Sequence, residues 1–344
     1  MSSGVMGDRS GRAAWADFAK GLTIILVVMM HSTLGVELVA GETVVMGGLV
    51  DFARAFRMPL FFAISGLFAA TAIFRGWLRF TDAKLIHFVY FYVLWSVLQI
   101  GVRLALAGHG QHDISWHQFL LIPIEPFGTI WFIYILPLFF LAAKLTRHLP
   151  AGLGILAASL ISLFHTDTGW IVADASTKYF VFFMAGLYAG PWLKAFAHWA
   201  SERPWGVAGL TLLFTAANFQ VMSWGKVEEP AYALVLGLVG AATVIGIGAI
   251  IGGHRLAAPI RFCGQNSLAI YVAFTFPMVA IRLVMTKTGF VENPEMISVM
   301  VTAGAVIGAL AMAWCAKRTP LAFLFERPDW AKLSVAERPM AQPA

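Results

Sequence analysis

Apolar residues fall in repeated blocks of membrane length, separated by short charged segments, from one end of the chain to the other. An α-helix rising ~1.5 Å per residue crosses a ~30 Å hydrocarbon layer in about 20 residues, so each block predicts a membrane-spanning helix. The blocks parse into ten spans at 19–40, 45–73, 84–107, 129–147, 149–165, 171–193, 205–223, 231–252, 266–286 and 297–316. The expected architecture is all-α: a polytopic membrane helical bundle of about ten transmembrane helices, forming one domain over 1–344 with tails at 1–18 and 317–344. AGLGILAASLISLF and KYFVFFMAGLYAG, in the fifth and sixth spans, are short for a bilayer. The first block follows a basic tail as a signal peptide would. It is too long for a typical apolar signal core and further spans follow, so it reads as an uncleaved helix.

Charge orients the bundle. With both termini cytoplasmic, the inner side receives Arg9, Arg12 and Lys20; Arg75, Arg79 and Lys84; Lys144 and Arg147; Lys194 and Arg203; Arg255 and Arg261; and Lys317, Arg318, Arg327, Lys332 and Arg338. That is 17 of the 24 basic residues. Basic residues favour the cytoplasmic side, and reversing the bundle would put most of them outside. If only one of the fifth and sixth spans crossed, Lys194, Arg203, Arg255 and Arg261 would move outside, so both are expected to cross. The net charge of +6 and pI near 9.4 therefore read as topology, and nothing supports a nucleic-acid partner.

Composition excludes a soluble protein. The chain is 59% hydrophobic and only 12% charged, with a mean hydropathy of +0.77, which leaves too little polar surface to face water. Cys263 and Cys315 fall near cytoplasmic ends, where a structural disulfide is not expected. There is no phosphate-cradling GxxxxGK[ST], no internal repeat and no Cys/His metal framework. Trp15, Trp77, Trp192, Trp205 and Trp314 lie at predicted span ends as interfacial anchors.

A charge at mid-bilayer costs about 2.5–3.5 kcal/mol on the insertion scale, so charges inside spans are informative. Taken by depth, the basic ones are His31, Arg54, Arg57, Arg103, Lys178 and Arg282. Arg103 and Arg282 lie near outer ends, where they can snorkel to water, and Arg54 is only moderately deep; His31 and Arg57 require a reason. In KGLTIILVVMMH, eleven positions separate Lys20 from His31. At ~100° and ~1.5 Å per residue that is close to three turns and roughly 16 Å, so both side chains share one stripe with Ile24 and Val27. A basic group at the inner edge below an imidazole near mid-membrane suits a long ligand with an anionic head and a reactive tail. Imidazole can take a proton from a hydroxyl and return one to a leaving group; a structural histidine bonded to a neighbouring helix is the competing reading. Arg57 precedes Pro59, which loosens helical hydrogen bonding nearby. Its charge suits an oxyanion or an anionic substrate group, or else pairs with Asp51 or Glu42. HGQHD and the following His117 have permissive spacing for a metal, but without HExxH or a cysteine framework they read as a solvated interfacial loop, or alternatively as a loop that contributes to acceptor binding with Asp113 and Glu125.

WADFAKGLTIILVVMMH resembles the first-helix signature of the acyltransferase-3 membrane proteins: a basic residue, ten intervening residues and a histidine. The likeness continues in FRMPLFFAISGLF, TIWFIYILPLFF and GQNSLAIYV, in that order over most of the chain. The AKG form is similar to the branch of fucose 4-O-acetylases and polysaccharide acetyl- or succinyltransferases. The resemblance implies ten helices in the bacterial cytoplasmic membrane and transfer of an acyl group from cytosolic acyl-coenzyme A (acyl-CoA) to a carbohydrate hydroxyl at the outer face. It implies acyl-CoA as co-substrate, a glycan acceptor and membrane lipid as partners, and no permanently bound cofactor or metal. Carried over by position, His31 is the catalytic base, Arg57 the second-helix arginine, Lys20 the basic partner in substrate binding, and Trp131, Tyr134, Asn266 and Ser267 further substrate-binding positions. Phe274 stands where many relatives carry a second histidine, so that group's role has no bearer here. Two other classes remain at this point. In a proton-coupled transporter or flippase His31 and Arg57 would be a relay and a charge site, whereas a membrane sensor or scaffold would leave the deep charges unexplained.

Overall fold

The computed structural model describes residues 13–106, 115–289 and 291–333, which are helical with no β-strand among them. In chain order the helices are α1 (Ala14–Ala40), α2 (Val45–Ile73), α3 (Trp77–Phe80), α4 (His87–Leu106), α5 (His117–Leu121), α6 (Trp131–Thr146), α7 (Ala151–Leu163) and α8 (Ile171–Tyr188). They continue with α9 (Gly190–Glu202), α10 (Pro204–Ser223), α11 (Pro230–Ile251), α12 (Ala258–Gln265), α13 (Ser267–Ala273), α14 (Thr275–Thr288) and α15 (Pro294–Ala316). A π-helical stretch, Thr81–Ile86, joins α3 to α4. Among the described residues seven helices are long and apolar enough to cross a membrane, or nine if each of two bent pairs counts as one span. The protein is an integral, multi-pass, all-helical membrane protein.

The structure departs from unbroken spans at two places. α8 and α9 meet at 77°, and α13 and α14 at 53°. Proline explains both. Pro191 has no N–H for the Leu187 carbonyl and Pro277 none for Ala273, so each helix restarts on a new axis. α9 then buries Ala197 and Ala200 while exposing Trp192, Lys194 and His198, a two-faced helix where the end of an apolar span was expected. α7, in the fifth expected span, has 13 residues, or about 20 Å of helix.

The chain divides into two compact units, Met1–Ala70 with Leu149–Cys315 and Thr71–His148 with Ala316–Ala344. In the first, Leu26 and Met29 of α1, Phe56, Leu60 and Ile64 of α2, Phe214 of α10, and Leu236, Val244 and Ile245 of α11 form one buried cluster. Small residues let backbones cross closely: a Cβ on Gly66 of α2 would overlap the Phe183 carbonyl, and one on Gly186 of α8 would overlap that of Ala63. α1 ends at Gly41, whose φ of 73° is a left-handed conformation that glycine adopts freely. The start of α2 is capped by carboxylates. Glu37 accepts the Val44 N–H at 3.0 Å, and Glu295 accepts those of Val45 and Met46.

In the second unit α4 packs along α6. The Lys144 ammonium, buried rather than facing solvent, donates to the Ile73 carbonyl at 2.7 Å and to that of Arg75. It lies 5.2 and 5.0 Å from the Trp77 and Phe80 ring centres. A buried cation thus satisfies carbonyls left open at the end of α2. The expected tail from residue 317 is folded as far as it is described. Tyr90 donates to the Phe323 carbonyl and Trp95 to that of Leu324, each at 2.9 Å. Asp82, on the π-helical stretch, accepts from Arg327 at 2.7 Å and from the Leu333 N–H at 2.8 Å.

Candidate active site

α1 carries both His31 and Lys20, and the residues between them on the stripe, Ile24 and Val27, are buried in protein. The stripe therefore faces the interior of the fold. The half-buried His31 ring lies against Phe274, with centroids 5.5 Å apart. Phe274 is the residue at the α13–α14 break, and Tyr271 one turn earlier contacts both Phe274 and Phe61 of α2. No described residue hydrogen-bonds the imidazole, which leaves both ring nitrogens for a substrate. The reading of His31 as a bonded structural histidine finds no partner among the described residues.

Arg57 on α2 is only 6% exposed, yet Nε and Nη1 have no hydrogen-bond partner. Nη2 donates to the Met30 sulfur at 2.7 Å, so the guanidinium touches the residue next to His31. Asp51, one of two carboxylates the sequence offered Arg57, bonds Arg54 instead at 2.5 Å, and Glu228 lies 4.0 Å from Arg54 and also pairs with Lys178. Arg54, His165, Lys178, Tyr179 and Glu228, with Pro59 and Phe182, line a small pocket one turn before Arg57. A buried guanidinium with open donors is complementary to an anion or to an oxygen acquiring charge.

At the other end of the stripe Lys20 is paired. Its ammonium lies 3.4 Å from the Asp17 carboxylate and 4.7 Å from the Phe68 ring centre; the two charged side chains are 13% and 3% exposed. Gln265 donates to the same carboxylate at 3.1 Å. α1 and α12 cross with their backbones in contact: a Cβ on Gly21 would overlap the Ile260 carbonyl, and one on Gly264 that of Asp17. The AKG and GQNS segments thus meet through two glycines. Asn266 forms the α12–α13 junction, its side chain donating to the Phe262 carbonyl at 2.9 Å, and Ser267 opens α13. The structure brings Asn266 and Ser267 to the Lys20 end of α1, and Phe274 to the His31 end. Sequence reasoning missed Asp17 and Gln265. Their signals were an acid three positions before Lys20 and an amide between Gly264 and Asn266.

Trp131 and Tyr134 belong to the second unit. Trp131 opens α6, half-buried, with its ring 6.4 Å from that of Phe132. Tyr134 donates to the Pro123 carbonyl at 2.8 Å and packs edge-on to Tyr92, which donates to the Ile122 carbonyl at 2.6 Å. The two phenols hold the turn after α5 against α4 and α6.

The HGQHD run lies outside the described residues, and His117 is exposed on α5, 3.4 Å from the Ser115 hydroxyl. His165, Asp167 and Asp174 bring ligand atoms within 4.8 Å of one another. Those atoms already serve a turn: His165 bonds Thr177 at 2.7 Å and Asp167 at 3.0 Å, and Asp174 accepts the Thr168 and Gly169 N–H groups at the start of α8.

The model of an acyltransferase domain, that of the acyltransferase-3 family, matches residues 13–317. No curated protein and no solved structure matches the chain.

Proposed function

The chain belongs to the acyltransferase-3 family and is a membrane acyltransferase, and on that premise we propose that it moves an acetyl or succinyl group from cytosolic acyl-CoA to a carbohydrate hydroxyl at the outer face of a bacterial cytoplasmic membrane. His31 is the general base. It takes the proton of the acceptor hydroxyl as the oxygen attacks the thioester carbonyl, forming the new C–O bond. The carbonyl oxygen becomes an oxyanion, which the open N–H groups of Arg57 stabilise. Collapse breaks the C–S bond, and the His31 proton passes to the departing sulfur, releasing the free thiol of coenzyme A. Lys20, with Asn266 and Ser267 at its end of the stripe, meets the anionic nucleotide part of the donor, whose phosphates take over from Asp17 as partner. Trp131 and Tyr134 are assigned to substrate binding by their motif positions.

The observation that carries this reading is the buried guanidinium of Arg57, open on two nitrogens and bonded to the neighbour of His31. The test is thiol release from acetyl- and succinyl-CoA by purified protein in detergent, with added glycan extracted from a strain lacking this protein. His31→Ala should abolish acceptor-dependent release while the protein remains folded. Transfer at the wild-type rate in that variant would remove the assignment of the base.

A further inference from the structure

We propose that Gln99 is a recognition point for the hydroxyl groups of a glycan on the second unit. This rests on the acyl-acceptor reading above and names a residue that reading does not use.

Gln99 lies on α4 toward the end remote from the basic cluster Arg75, Arg79 and Lys84, which places it on the outer side of the span. Its side chain is 3% exposed, and neither Oε1 nor Nε2 has a hydrogen-bond partner. A buried polar group left without a partner costs about 1–3 kcal/mol, and α4 at this depth would be more stable with an apolar side chain. The backbone at Gly128 comes close to the amide, which only a residue without a side chain allows. Gly128, at the left-handed φ of 61°, faces Gln99, and a Cβ there would stand 3.3 Å from Oε1 and 3.8 Å from the Arg103 guanidinium. Arg103, one turn further out on the same face of α4, is exposed and lies 4.8 Å from the Phe127 ring centre. No described carboxylate pairs with it.

The chemistry is that of a sugar. A primary amide offers one acceptor and a donor pair, and a hydroxyl is both donor and acceptor, so the two match without charge. The exposed guanidinium further out and the ring beneath it add donors and an apolar face. A site built for an anion would instead place the charge at the buried position and the neutral amide at the rim.

The test uses full-length protein in detergent, with the same extracted glycan and acetyl-CoA as probes. Gln99→Met keeps the side chain's size and removes its hydrogen bonds. Its KM for glycan should rise about tenfold, the worth of one or two neutral hydrogen bonds, while its KM for acetyl-CoA stays within twofold. The melting temperature without ligand should hold or rise; added glycan should stabilise the wild type, and that stabilisation should shrink in the variant. An unchanged glycan KM, a rise in the acetyl-CoA KM instead, a loss of thermal stability in the variant, or a wild type that glycan does not stabilise would each overturn the proposal. The His31 assignment is judged separately by His31→Ala, since Gln99→Met leaves the proposed base intact and the stabilisation readout needs no turnover.

Discussion

The imidazole of His31 rests on the ring of Phe274 at 5.5 Å, tilted by 30°, and no hydrogen bond from a described residue fixes its orientation. That ring contact therefore helps aim the proposed base, and Phe274 owes its place to the break that Pro277 imposes between α13 and α14.

An aromatic pair contributes about 0.5–1.5 kcal/mol beyond its buried area. Phe274→Ala should accordingly lower kcat by roughly 2- to 12-fold, with the KM for acetyl-CoA little changed, whereas Phe274→Tyr should stay near the wild-type rate. Steady-state rates of thiol release check both. A kcat untouched by Phe274→Ala would mean that something other than this ring aims His31.

Arg57 should trade stability for activity. Replacing a buried ion by an apolar side chain of similar volume is often neutral or stabilising by about 1–4 kcal/mol, so Arg57→Met should melt at the same temperature as the wild type or higher. Loss of an oxyanion donor costs about 10²- to 10³-fold in kcat, and the variant should show that loss. Thermal unfolding in detergent, read beside initial rates, separates the two effects. A clear drop in melting temperature would show that the guanidinium serves the fold.

Lys20 and Asp17 call for a double substitution. Lys20→Ala leaves the Asp17 carboxylate buried without its cation, which costs about 3–5 kcal/mol. Lys20→Ala combined with Asp17→Asn should recover most of that stability but not the affinity for acetyl-CoA. Equilibrium binding of acetyl-CoA together with thermal unfolding checks this; recovery of affinity along with stability would confine Lys20 to a structural role.

Much of this protein was legible in its sequence because lipid leaves a chain few options: a backbone without water must bond to itself, and helices are the result. Scarcity of charge did the same for the candidate site, since His31 and Arg57 stood out against an apolar background. Proline was read in part. Pro59, expected to loosen α2, lines a small pocket with Ala55 while α2 runs through it as one helix, and Gly237 on α11 provides room against its ring. Pro191 and Pro277 passed unremarked and break their spans. Interior proline is tolerated where neighbours pack around it, and that is decided by tertiary contacts that a single stretch of sequence does not display. Asp17 and Gln265 were hidden for the same reason, being partners across 248 positions.

The stitching of Asp82 to Arg327 and Leu333 bears on how such a protein is handled. A reporter or purification handle joined directly after Lys317 would amputate the strap that closes the second unit, strip Tyr90 and Trp95 of their carbonyl acceptors and leave a carboxylate stranded on the π-helical stretch. Fusions that respect the fold begin beyond Leu333.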